Sequence, residues 1–295
     1  MYKQIDSNKR RTVILMVLFV ILVLLLGWVF GEYTGYGYWG LIFALIISLV
    51  MTLFSYYKGD KVALWSAGAK PIVKEDNPYV FRMVENLCIT AGLPMPKIYV
   101  INDPAPNAFA TGRDPEHAAI ALTSGIIEKL ENEELEGVIA HELSHIKNYD
   151  IRLMMVVAVM VGIIVLISNW IFRIRGIGGR RSKGGGQIVA IIMIIGIVLA
   201  LLSPLIAELI KMAVSRKREY LADASGALLT RYPAGLANAL EKISAYKEPM
   251  RRANNGTAHL FISNPFAERA GRGLAHMFST HPPVDDRIAK LRDMA

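Results

Sequence analysis

Hydrophobic residues in this chain gather into four long runs, at positions 12–31, 38–57, 151–172 and 187–210, each about the 20 residues that a helix needs to cross a bilayer. The pattern predicts hairpin, polar block, hairpin, polar block: an N-terminal transmembrane hairpin (1–57), a first soluble part (58–150), a second membrane hairpin (151–210) and a second soluble part (211–295). In the first polar block, Pro78–Ala91 has helical spacing, with Val80, Val84, Leu87 and Cys88 on one face. Residues 96–101, 108–111 and 118–123 read as short strands bounded by Asn, Pro, Asp and Gly. A helix can start at Thr123-Ser-Gly. A longer one runs from Asn132 as N-cap, with Glu133, Glu134 and Glu136 near its positive end. Helices are expected over 211–229 and 235–246, then a loop-rich stretch to about 280 and a last short helix from Val284.

Composition agrees with a membrane protein, at 53% hydrophobic over 295 residues. The net charge of +8 sits beside the apolar runs, at Lys3, Lys9, Arg10, Arg11, Lys58, Lys61 and Arg216 to Arg218, and no nucleic-acid motif accompanies it. The first connection, 32–37, has no basic residue, so the positive-inside rule puts the N-terminus and Lys58 onward in the cytoplasm. The second connection holds Arg173, Arg175, Arg180, Arg181 and Lys183. Charge alone makes that loop cytoplasmic, whereas an even number of crossings keeps both soluble parts on one side; a full hairpin and a re-entrant one both remain open. The first run follows a basic segment, as a signal peptide would, yet it is longer than a signal core and has no small-residue cleavage site, so it reads as an uncleaved anchor. Cys88 is the single cysteine, which leaves no intrachain disulfide and no Cys-ligated metal.

The chemistry lies in H-E-L-S-H at 141–145. Residues i and i+4 of a helix share a face, so His141 and His145 can offer two imidazoles to one zinc. Glu142, turned by about 100 degrees, suits a general base acting on water held there. Leu135, Val138, Ile139, Leu143 and Ile146 form the apolar side of that helix, and Gly137 leaves room for close approach. A catalytic zinc needs a third protein ligand. His117, His259, His276, His281, Glu208, Glu219 and Asp223 are the candidates, and Glu219 and Asp223 stand out by sharing a helix face in E-Y-L-A-D. By spacing alone, a solvated helix face explains those two equally well.

These residues resemble the HtpX membrane metallopeptidases, relatives of the CAAX prenyl endopeptidases. The likeness follows the order P-N-A-F-A-T-G at 106–112, H-E-L-S-H-I-K-N at 141–148, an apolar hairpin, R-K-R-E-Y-L-A-D at 216–223 and S-T-H-P-P at 279–283. The resemblance implies an α+β, gluzincin-type zinc peptidase domain with a small β-sheet, His141, His145 and Glu219 as zinc ligands, Glu142 as base, and Asp223 supporting a ligand histidine. It further implies a multi-pass protein of the bacterial inner membrane, with its catalytic domain facing the cytoplasm, that degrades misfolded or damaged membrane proteins under stress. Asn107, Ala108, Phe109 and Ala110 resemble the edge strand that aligns substrate backbone, although an ordinary hairpin strand has the same look. His281 and Arg287 fit either oxyanion stabilisation or a structural role at the last helix. His117, His259 and His276 read as surface or loop residues, and Asn148 as support on the ligand face.

No ATPase signature is present, so unfolding power must come from the substrate or a partner. Processing of lipidated C-termini is a second enzymatic reading, but it would favour more than four membrane helices. A non-catalytic scaffold is a third, against which the intact Glu142 argues. Oligomeric state leaves no mark on the sequence.

Overall fold

The computed structural model describes residues 2–160, 215–252, 256–266 and 282–294. Helices α1 (Tyr2–Thr34) and α2 (Tyr38–Ala67) form an antiparallel hairpin, and both are long and apolar enough to cross a membrane. Each extends about ten residues past the apolar run that announced it. In α2 the extension has a packing reason: Ala63, Leu64 and Ala67 bury against the sheet, and the helix closes on Gly68 in the left-handed conformation (φ 70).

A four-stranded sheet follows, ordered β1 (Ala69–Pro71), β2 (Lys97–Ile101), β4 (Ala118–Thr123), β3 (Ala108–Gly112). The pairs β1–β2 and β4–β3 are antiparallel, β2–β4 parallel. The expected strands are present, and β1 is additional: three residues ending in proline offer no alternation to read. Strand β3 is one of the two edges, with Ala110 opposite Ile120. Between β1 and β2, α3 (Pro78–Ala91) starts at Asn77, whose side chain accepts the Val80 N–H, and stops at Gly92. Thr123 caps the short α4 (Ser124–Lys129).

Helix α5 (Asn132–Lys147) carries H-E-L-S-H. Its N-cap is Glu131, one residue before the expected Asn132, because Glu131 and Glu134 satisfy each other's backbone N–H groups in a capping box. Helix α5 is walled by β3, α3, α6 (Arg216–Thr230) and α7 (Pro233–Ala245), with α8 (Val284–Arg292) packed on α6 and α7. A Cβ at Gly137 would lie 2.7 Å from the Leu236 backbone nitrogen, so the expected close approach is that of α7. Residues 138–146 are buried on every side.

After α5 the chain turns at Tyr149 (φ 60) and residues 150–160 form a buried helical stretch. Met155, Val156 and Met160 pack on Phe19 of α1, while Met154 and Ala158 pack towards Phe109 and Phe261. The hairpin α1–α2 and the α5 region thus share one packed interior. The rest of the second expected hairpin, its basic loop, the glycine-rich stretch, His276 and His281 lie outside the described residues.

Candidate metal centre

Because α5 is buried all round, the polar groups of its central turns must find partners inside the protein or cost several kcal/mol each. The Nε2 atoms of His141 and His145 lie 3.1 Å apart, their rings nearly perpendicular. Glu219, brought in by α6, sets Oε1 3.6 Å from His145 Nε2 and Oε2 3.9 Å from His141 Nε2. Among the described residues these three form a group whose ligand atoms all fall within 4.8 Å of one another. Two nitrogens bound tetrahedrally to one zinc would be about 3.3 Å apart, given Zn–N bonds of about 2.0–2.1 Å.

The other ring nitrogens reinforce that geometry. His145 Nδ1 is 3.0 Å from Asp150 Oδ2, and His141 Nδ1 is 2.9 Å from Asp223 Oδ1, though off the ring N–H axis. A carboxylate behind each Nδ1 keeps the proton there and leaves each Nε2 lone pair facing the common point. Asp223 is itself gripped by Arg287, whose Nε and NH2 donate to it at 2.9 and 2.7 Å. Arg287 is wholly buried, also donates to the Ile262 carbonyl, and comes within 3.9 Å of Glu219 Oε2. The cluster holds four buried carboxylates (Glu142, Asp150, Glu219, Asp223) against two buried guanidiniums (Arg218, Arg287), which leaves two negative charges with neutral imidazoles. A divalent cation matches that deficit and the donor set.

Protonation follows the same imbalance. Burial pushes Glu142 up to about 7, against the lowering pull of His145. For His145 burial alone would lower the pKa, but Asp150 and Glu219 carry it up to about 9. Burial prevails at His141, which is held below the usual histidine range. Burial opposes ionisation of Asp223 too, yet Arg287 holds its carboxyl below the ordinary range.

Glu142 faces β3, where the nearby Ala110 backbone N–H favours its ionised form. Ala108 and Ala110 lie on the α5 side of the sheet, whereas the Phe109 ring packs against Phe261 on the far side, centroids 4.9 Å apart. The Asn107 side chain donates to the Ser263 carbonyl and accepts from its N–H, while Ile262 N–H bonds the Ala108 carbonyl. Residues 262–263 therefore occupy the β3 edge up to Ala108.

His141, His145, Glu219, Glu142, Asp223 and Arg287 thus converge, with Ala110 at their border. His117 is exposed on Asp114, as expected of a surface residue. His259 departs from that expectation: it is buried, with Nε2 3.1 Å from the Met154 carbonyl. Asn148 is buried at the C-terminal end of α5 and lends its carbonyl to Asn8. Asp150 and Asn8 join the cluster without a sequence motif to mark them; the one signal for Asp150 is an acid just past the H-E-x-x-H helix.

The description "Peptidase family M48" fits residues 74–295. Over 297 residues the chain is 44% identical to the "Protease HtpX homolog" of Caldanaerobacter subterraneus subsp. tengcongensis, covering 100% of this chain and 98% of that one. It is 45% identical to the protein of that description from Dictyoglomus thermophilum, covering 99% and 94%. The crystal structure of S. mikatae Ste24p shares the fold at a TM-score of 0.51 and 20% identity, over 99% of this chain and 67% of that one. With a buried His-His-Glu group on an H-E-x-x-H helix and relatives matching over its whole length, the chain belongs to peptidase family M48 and is a metallopeptidase of the HtpX type.

Proposed function

We propose that this chain is a membrane-anchored zinc endopeptidase in which His141, His145 and Glu219, a gluzincin ligand set, hold the ion. The observation that carries the reading is the pair of Nε2 atoms 3.1 Å apart, each ring backed by a carboxylate. An ion held there would supply Lewis acidity to polarise a scissile carbonyl and acidify water. Glu142 takes the proton from the attacking water and delivers it to the leaving amine. The β3 edge beyond Ala108 receives substrate backbone as an added strand, a recognition mode with little demand on sequence. Asp223 fixes His141 and is itself fixed by Arg287, whose guanidinium is thereby committed to positioning.

The apolar hairpin and the cations at its polar ends support an inner-membrane location with the site on the cytoplasmic side, and loosely folded segments of damaged membrane proteins as substrates. The test is the full-length protein purified in detergent with zinc. Wild type should hold one zinc per chain and cleave a misfolded membrane protein; Glu142→Gln should keep the zinc and lose about 10²- to 10⁴-fold in rate. Cleavage unchanged in Glu142→Gln, or wild type without zinc, defeats the reading.

A further inference from the structure

We propose that Asn8, on the membrane helix α1, is a positioning residue of the metal centre, acting through Asp150 to hold His145 in its ligand orientation; this rests on the zinc reading above. Asn8 is completely buried, four residues before the first apolar run. A buried amide in such a place is costly unless it is bonded. Its Nδ2 donates twice, to the Asn148 carbonyl at 2.9 Å and to Asp150 Oδ1 at 2.6 Å. The carbonyl and the carboxylate, opposite the imidazole, can only accept, so the side chain's orientation is set by chemistry, and only a group with two N–H bonds fills the role.

The other oxygen of Asp150 bonds His145 Nδ1, making a chain from Asn8 through Asp150 to a ligand. Asp150 has no support from α5 itself, because Tyr149 has already left the helix in a left-handed conformation uncommon for a bulky residue. Its Oδ1 is held by Asn8, with the Arg218 NH1 at 3.6 Å. A second contact from α1 reaches the same turn: Lys9 Nζ sits 4.4 Å above the Tyr149 ring. The two ligand histidines are therefore braced alike. Arg287 fixes the carboxylate behind His141 from α8, and Asn8 fixes the one behind His145 from the membrane helix. A shift of α1 along its axis would move a ligand.

The experiment measures zinc affinity of the full-length protein in detergent at pH 8, by competition with a fluorescent chelator. Asn8→Ala should weaken zinc about 10-fold, the lower end of what groups behind a ligand contribute. Asn8→Asp keeps the size but turns donors into a carboxylate facing Asp150, and should weaken zinc more than Asn8→Ala does. On an Asp150→Ala background, Asn8→Ala should add less than about 2-fold. Excess zinc should restore cleavage to Asn8→Ala. A role in packing alone predicts the reverse order, Asp milder than Ala, and additive costs on the double variant. Either result, or Asn8 variants that bind zinc as wild type does, overturns the proposal. Should Asn8→Ala not accumulate, Asn8→Ser, with one donor left, should fall between wild type and Asn8→Asp. Wild type that holds no zinc defeats the underlying site reading, an outcome distinct from loaded wild type with equally loaded Asn8 variants.

Discussion

Along α2, Trp39 is 71% and Val50 61% exposed, whereas Glu142, Asp150, Glu219, Asp223 and Arg287 around α5 have almost no contact with solvent. The hairpin shows apolar side chains outward and packs inward through small ones: a Cβ at Gly40 would fall 2.4 Å from the Gly27 carbonyl oxygen of α1. The α5 cluster does the opposite, holding charge in the middle of a packed interior. Each arrangement would be unstable without a partner that the chain does not itself supply, hydrocarbon outside for one and a cation inside for the other. Departures from ordinary burial, in both directions, thus point to what surrounds or occupies the molecule.

That contrast can be broken at its most charged point first. Arg287→Ala strips the guanidinium from Asp223 and leaves a carboxylate buried without its main partner, so unfolding free energy should fall by about 3–5 kcal/mol, read from denaturant curves in detergent. A loss under about 1 kcal/mol would mean that the interior there is wetter than its burial suggests. Next in size, Val50→Lys places a cation on the outward face of α2, and in a membrane-insertion reporter it should cost about 3 kcal/mol. On a water-facing helix the same change would be close to neutral, which would refute the lipid-facing assignment. The smallest effect concerns Cys88, buried in the α3 face and pushed up to about 11 by that burial. At pH 9 only about 1% is thiolate, so a thiol reagent should label native protein far more slowly than the unfolded chain, whose free thiol lies at about 8.5. Immediate labelling would show that the α3 face opens far more readily than the α5 cluster it covers.

What the sequence made legible follows from range. The i, i+4 pair at His141 and His145, the strands at 97–101 and 118–123, and Glu219 with Asp223 on one face are local patterns, and each lies where its spacing predicts. Asp150 was hidden because a left-handed Tyr149 separates it from the helix whose His145 it contacts, so helical counting fails across that turn. Asn8 was hidden because its partner stands 142 residues away and nothing in the polar stretch K-Q-I-D-S-N-K-R-R marks one amide as bonded. The burial of His259 had the same cause, a contact with Met154 that no local pattern encodes. Glu131 displaced Asn132 as N-cap because its reciprocal bond with Glu134 satisfies two backbone donors where Asn132 would satisfy one.

The separation between Asn8 and Asp150 also sets a timetable. At roughly 5–20 residues per second, a ribosome needs on the order of ten seconds to add the 142 residues between them, and longer to reach Arg287, 64 beyond Asp223. Throughout that interval α1 is already available to the membrane, while the His141, His145 and Glu219 group is not yet assembled. A growing chain of this kind carries no working blade, and its cutting power arrives only once the anchor is in place.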